Sequence, residues 1–425
     1  MVWTPARLAI STATTINISS LPAWAPGLGE YADISLTTAL ATSGVNPCPA
    51  NNCPYTMNEG QSAIWRDWNG GVFAPTMGVL GSMLCHGGGH WGYSGNEVIR
   101  YDIATRVWSR LNNPANYGFN KDGWVPFTKA PAAVVNSYGS FPDGTPNPLH
   151  YYNGIEYVPS DAGGGTLGSI VFMHRMNSNS DVTDFQWWKF DIATLTWSHG
   201  PTCIKISSLN GNQYVGLTYD SKRKGIWRVD INADVNSNGL SFYSLTTGQQ
   251  YDVPLNSGNS FSLGRPGSGM ISYNAARDCL VVFRYVSAVA QLACVDLSSF
   301  TLGVSPFAPT HQITQSGTGH PLLVGGTSYP PLLEWCPYDG NYYCVNWPTN
   351  SRMYKLTVPA TLTGTWAWSS ELLTAKSGTG AVAFEARSSD NGLFSRFRYV
   401  PGIKSFVWTD GQDLMVQAGR PSNFV

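Results

Sequence analysis

Three short segments of this chain recur in the same order, and that self-similarity limits what it can fold into more than any other feature. WNGGVFAP (Trp68–Pro75) returns as YNGIEYVP (Tyr152–Pro159). LGSMLCHGGG (Leu80–Gly89) returns as LGSIVFMHR (Leu167–Arg175), and YDIATRVWS (Tyr101–Ser109) as FDIATLTWS (Phe190–Ser198). Loops of different length separate the segments, so what repeats is a structural unit. Each unit reads as four short strands. The first alternates around Val72 or Ile155 and stops at a proline, which cannot donate to a ladder. The second is the apolar run Met83–Cys85 or Ile170–Met173. The third ends on Tyr101 or Phe190, just before Asp102 or Asp191, whose carboxylate can accept hydrogen bonds from a turn backbone and favour chain reversal. The fourth carries Trp108 or Trp197, placed to pack between neighbouring units. Tyr101, Trp108, Phe190 and Trp197 are therefore the expected structural residues.

Weaker copies follow. QYVGLTYDSKRKGIWRVD (Gln213–Asp230) precedes LSFYSLTTGQQYDV, and GMISYNAARDCLVVFRY (Gly269–Tyr285) precedes QLACVDLSSFTL, read as the third and fourth strands of that unit. LLEWCPYDGNYYCVNW (Leu332–Trp347) precedes RMYKLTV and TWAWSS, and SRFRYVPGIKSFVWTDGQDLMVQA (Ser395–Ala418) supplies three strands, one short. The expected fold is an all-β propeller with six blades near 61–111, 150–199, 213–255, 268–302, 331–370 and 394–418. A seventh is open if residues 1–60 hold a complete blade. Sheets in a ring must close, because open edges invite aggregation. Residues 1–60 are expected to supply the closing strand, with TTINISSLP (Thr14–Pro22) as the candidate.

Composition suits many short strands and tight loops: 12% of residues are charged, 13% are aromatic and Gly numbers 45. The formal net charge of -1 gives no basic field for nucleic acid or an anionic membrane. No apolar run of about 18 residues is present, so no membrane insertion is expected. The first residues, MVWTPARLAISTATTINISS, do not read as a secretory signal. Of the eight cysteines, Cys336 and Cys344 fall opposite each other if the turn is Asp339-Gly340-Asn341. Cys279–Cys294 and Cys48–Cys53 are further candidate pairs; the alternative is small buried thiols.

The quoted units resemble the kelch and galactose-oxidase-type propeller families. Their pattern is a Gly pair after the second strand, an aromatic ending the third and a Trp in the fourth. Gly87-Gly88-Gly89, Tyr101 and Trp108 match it; in the second unit Arg175-Met176 replaces the Gly pair. Such folds host enzymes, scaffolds and lectin-like binders, so the fold does not choose a function. An extracellular composition without a secretory signal is reconciled by a bacteriophage virion protein, which lysis releases. The expectation is therefore a non-enzymatic structural or binding part of a phage virion, such as a tail nozzle, hub or receptor-binding component. Other virion proteins or a host-surface glycan are its expected partners, and a homo-oligomer its expected state. No cofactor, metal or catalytic residue is assigned.

Alternatives stay in view. CHGGGHWGY (Cys85–Tyr93) offers His86, His90, Trp91 and Tyr93 as a polar–aromatic partner-binding surface, with a metal site at Cys85, His86 and His90 as the competing reading. Strand alternation puts Cys85 and His86 on opposite faces, against joint ligation. The galactose-oxidase resemblance implies a copper-radical site with an adjacent Tyr-His pair. The chain has none, and His150-Tyr151 is the nearest approach. Ser388-Ser389-Asp390-Asn391-Gly392 begins like a sialidase Asp box but continues Leu-Phe, leaving a glycosidase as a weak alternative. A carbohydrate-binding lectin-like propeller is the remaining alternative, with Trp187-Trp188 as a test of whether aromatics stand out from the blades or fill the spaces between them. Two long stretches, Leu111–Leu149 and Phe307–Pro330, read as excursions where partners dock.

Overall fold

The computed structural model describes residues 21–37, 69–87, 95–114, 151–175, 185–203, 215–230, 239–255, 270–286, 289–305, 307–317, 333–345, 351–378, 393–409 and 415–425, with positions 42, 45, 64, 141 and 143–146. Among these residues the regular structure is β, apart from one-turn helices such as Phe394–Arg396. β1 (Glu30–Asp33) joins the last sheet, described below. The first sheet holds β2 (Gly71–Ala74), β3 (Ser82–His86), β4 (Val98–Asp102) and β5 (Val107–Arg110). The second holds β6 (Ile155–Val158), β7 (Ser169–Arg175), β8 (Phe185–Asp191) and β9 (Thr196–Cys203). The third holds β10 (Val215–Asp220), β11 (Gly225–Asp230), β12 (Gly239–Ser244) and β13 (Gln250–Pro254). The fourth holds β14 (Met270–Asn274), β15 (Cys279–Val286), β16 (Val289–Asp296) and β17 (Thr310–Gln312).

The fifth sheet runs β18 (Gln315–Ser316), β22 (Trp366–Leu372), β21 (Arg352–Thr357), β20 (Tyr342–Val345) and β19 (Glu334–Trp335). The sixth runs β23 (Thr374–Ala375), β1, β26 (Val416–Arg420), β25 (Ser405–Thr409) and β24 (Phe397–Val400). The first strands β2, β6, β10, β14, β19 and β24 touch one another in succession, and β24 touches β2 again. The chain is a six-bladed β-propeller.

An early strand closes the ring. β1 lies antiparallel to β26, with Ala32 opposite Ala418 and Glu30 opposite Arg420. The closing strand is thus Glu30–Asp33; Thr14–Ser20 lie outside the described residues, and Leu21–Pro22 is not strand. The chain leaving one blade also caps the outer edge of the next. Leu255 bridges Ala308, Gln315 of β18 pairs with Trp366, and Thr374 of β23 pairs with Glu30, all in parallel. These pairings use backbone groups that an open edge would leave free.

The hydrophobic core is divided among the six seams between blades. Trp108, Tyr101, Met83 and Cys85 meet Val400, Val407, Val416 and Ala418 where first and last blades join. Val72 and Leu84 meet Ile155, Phe172 and Trp188 at the next seam. The other four clusters fill the remaining seams in the same manner. Trp187 and Trp188 settle the question put to them: both are buried, Trp187 stacking on Tyr243 with centroids 5.0 Å apart and Trp188 packing on the opposite face of the sheet.

Two local expectations change. The fourth strand of the fourth blade is Thr310–Gln312, because Asp296 accepts the Ser298 N–H and turns the chain where LSSFTL was read as strand. The register of β19 and β20 pairs Trp335 with Tyr342, so Cys336 sits at the turn, its N–H bonded to the Asn341 carbonyl. Cys336 and Cys344 then enter different seams and both are free thiols. Cys279 pairs with Asp296 and Cys294 with Val281, two residues out of register for a direct pair, and both are free. Cys48 and Cys53 lie outside the described residues. Burial pushes the thiols of Cys85, Cys336 and Cys344 well above their ordinary range. We therefore expect Cys85, Cys279, Cys294, Cys336 and Cys344 to resist iodoacetamide in the native protein and to react after unfolding, read by peptide mass spectrometry. Rapid native labelling of these five would contradict the seams as described.

Candidate functional site

The repeated Asn-Gly opens the first strand of a blade and ties it to the next. Asn69 Oδ1 accepts the Tyr151 N–H at 3.3 Å, and the Asn153 carbonyl accepts the Leu217 N–H at 3.0 Å. A Cβ on Gly70 would lie 2.1 Å from Ser395 Oγ and 2.3 Å from the Tyr152 carbonyl. Only glycine permits that approach. These first strands therefore start pressed together, and side chains on them meet across several blades.

One such meeting is charged. Glu156 on β6, Glu334 on β19 and Arg398 on β24 converge from the second, fifth and sixth blades. Arg398 Nη1 lies 3.4 Å from Glu334 Oε2 and 3.7 Å from Glu156 Oε2. Its Nε donates to the Ser395 carbonyl at 2.8 Å and its Nη2 to the Gly71 carbonyl at 3.3 Å, bringing in the first blade. Glu334 Oε1 accepts the Tyr399 N–H at 3.3 Å, and Glu156 Oε1 accepts the Tyr157 N–H at 2.8 Å. Their side chains are only 11–17% exposed, so water does little to stabilise the charges.

Electrostatics follow from that burial. Burial pushes Glu334 up to about 7 against the pull of Arg398, and neighbouring Glu156 pushes the same way. Burial also raises Glu156, again against Arg398. Burial works against the charge on Arg398, but the two carboxylates outweigh it and raise its pKa. Sequence reasoning did not single out these three residues. Its available signal was one charge inside each otherwise apolar first strand, as in GIEYV, LLEW and FRYV.

A second charged group staples the third and fourth blades. Arg223 Nη1 reaches Asp220 at 2.8 Å and Asp278 at 2.7 Å, Lys222 also pairs with Asp278, and the Tyr273 hydroxyl donates to it at 3.1 Å. Burial would raise Asp278, but the hydrogen bonds from Arg223 and Lys222 prevail and lower its pKa.

The residues expected to bind a partner divide. His86 ends β3 and is fully buried, not on the loop that follows. Its ring lies 4.8 Å from Trp197, 5.0 Å from Phe172 and 5.5 Å from Tyr151, and Nδ1 is 3.1 Å from the Glu97 carbonyl. It belongs to a seam because β3 continues one residue further than its apolar run. His90, Trp91 and Tyr93 lie outside the described residues. The rings of Tyr101 and Trp108 pack at a tilt with centroids 4.9 Å apart, and those of Phe190 and Trp197 at 4.7 Å, each pair at a seam; Trp108 is fully buried and Trp197 half-buried.

The two ends of the propeller differ. At one end the connections within blades are mostly short, as at 103–106, 192–195, 221–224, 275–278 and 401–404. Their Asp residues accept the turn N–H groups, as Asp102 does from Thr105 and Asp191 from Thr194. Val79, Val107, Leu195, Val304, Phe307 and Tyr338 are exposed at this turn end. From the other end leave the connections 87–97, 111–154, 204–214 and 255–269, and His90, Trp91 and Tyr93 belong to the first of these. Among the described residues, no group of three or more His, Cys, Asp or Glu side chains could hold a metal ion, and no helix is long and apolar enough to cross a membrane.

No family model matches the chain, and no curated protein sequence matches it. Solved structures do. One is a Bacteroides thetaiotaomicron protein of unknown function, with 11% identity and a TM-score of 0.46 over 91% of this chain and 74% of that one. Another is an auxiliary nutrient binding protein from Bacteroides ovatus, with 11% identity and a TM-score of 0.43 over 92% and 76%. A third is a PQQ-bound aldose sugar dehydrogenase from Streptomyces coelicolor, with 11% identity and a TM-score of 0.43 over 87% and 99%. At such identities and scores, none of them speaks to function.

Proposed function

We propose that this kelch-like propeller works by binding and not by catalysis, as a structural or receptor-binding component of a phage virion. The observation that carries the reading is the difference between the two ends: mostly short turns at the end that exposes Val79, Val107, Leu195, Val304, Phe307 and Tyr338, and mostly longer connections at the other. A rigid scaffold that gathers its long loops at one end is suited to docking. The charged groups described at the centre are paired with one another and with backbone, which suits a fixed hub. Partners are other virion proteins, met as a homo-oligomer, or a host-surface glycan. Nucleic acid is not among them, given a net charge of -1.

Mass spectrometry of purified particles tests the reading. The chain is expected in the particles at a fixed copy number, and a variant with His90, Trp91 and Tyr93 all changed to Ala is expected to fold yet be depleted from them. Presence only in the soluble fraction would contradict it. Metal analysis of the purified protein gives a second check: copper and zinc are expected well below one atom per chain, and one bound copper with peroxide release from a primary alcohol would favour an oxidase.

A further inference from the structure

We propose that the Glu156–Arg398–Glu334 cluster is a proton-operated lock on the ring, tight while it holds a proton and looser once both carboxylates are ionised. The geometry gives one guanidinium two acidic partners, at 3.4 and 3.7 Å, neither in a bidentate fork. With both carboxylates charged, the cluster carries one uncompensated negative charge where solvent reaches little of it. A single shared proton removes that charge. Arg398 also reaches the Gly71 and Ser395 carbonyls, so the guanidinium that would shift joins the first, second, fifth and sixth blades. That set includes the seam where the ring closes.

Among the described residues, the groups facing the cluster are few. Glu334 meets Arg398 from β24 and Glu156 from β6, while Tyr342 on β20 and Cys336 beyond β19 feel its charge. Cys85 on β3 faces Arg398, and Arg396 faces Cys85. The two thiols and Tyr342 are held protonated by burial across the neutral range, which leaves Glu334 and Glu156 to titrate. Burial moves Glu334 from 4.5 up to about 7. A carboxyl whose pKa is raised in the closed state binds its proton more tightly there than in the open state. Its stabilising effect is complete below the ordinary carboxyl range and is lost as pH rises to about 7, after which it stays level. Asp278 and Asp339 are lowered, so their titration falls below this window.

The test is amide exchange and thermal unfolding of the full chain between pH 5 and pH 8. The Tyr399 and Tyr157 N–H groups, which donate to the two carboxylates, report local opening. After correction for intrinsic rates, their opening constant is expected to rise about tenfold, as the closed state gives up the proton that it holds more tightly than the open state does. Glu334→Gln is expected to keep the pH 5 value at pH 8 and to flatten the difference in melting temperature. A Glu334→Gln protein with the wild-type pH dependence, or a wild-type opening constant that does not rise, would overturn the proposal. If Glu334→Gln fails to fold, the wild-type exchange comparison alone decides, and Glu156→Gln provides the second variant.

Discussion

Changing Arg398 to Met is expected to destabilise the protein by about 3–5 kcal/mol, the cost of leaving buried carboxylates without their counter-charge. Arg398 is 12% exposed, and the two carboxylates it serves are 11% and 17% exposed. The variant loses the charge and also leaves the Gly71 and Ser395 carbonyls without its donors. The loss should shrink in acid, where the carboxyls take up protons, and grow towards neutral pH. The triple variant Arg398→Met, Glu156→Gln, Glu334→Leu is the control, because replacing a whole buried ionic group with well-packed neutral residues is often close to neutral. Urea unfolding midpoints at pH 5 and pH 7.5 measure all of this. A single variant as stable as wild type would mean that the cluster is solvated and the centre of the ring looser than described.

Trp108→Ala should cost a similar amount, about 3–5 kcal/mol, from lost burial plus the cavity left behind. Trp108 is 1% exposed and stands in the seam where the first blade meets the last, against Val400, Val407 and the closing-strand residue Ala32. Its repeat partner supplies the comparison. Trp197 is half-buried, so Trp197→Ala is expected to cost about 2 kcal/mol or less. Because Trp108 borders the ring closure, its loss should also speed amide exchange in Glu30–Asp33, which Trp197→Ala should leave unchanged. Equal costs for the two substitutions would show that the seams do not differ in the way their burial indicates.

The repeat made the blade legible, since strand alternation and the Asp-capped turns are local and survive in both clear copies. Trp108 and Trp197 could be placed at seams for the same reason. Ring closure was legible as a requirement but not as a segment. β1 is only Glu-Tyr-Ala-Asp, with a charge at each end, and its burial comes from β26 and β23, far away in sequence. The register that would set Cys336 opposite Cys344 failed on one turn, where a longer reversal shifted it and sent the two side chains to opposite faces of the sheet as buried thiols, the alternative reading. His86 was misplaced because the glycines after it suggested that the strand had already ended. The axial charges needed three blades to meet, and no local pattern shows that. What could be seen was a single charge in a short apolar strand, a feature equally common on exposed edges.

Amide exchange of the closing strand bears most directly on the ring. If Glu30–Asp33 is hydrogen-bonded between Val416–Arg420 and Thr374–Ala375, peptides covering it should exchange as slowly as those from the Val416–Arg420 strand, and both should be released together on unfolding. Fast exchange at Glu30–Asp33 beside a protected Val416–Arg420 would mean that another segment, or none, seals the sixth blade.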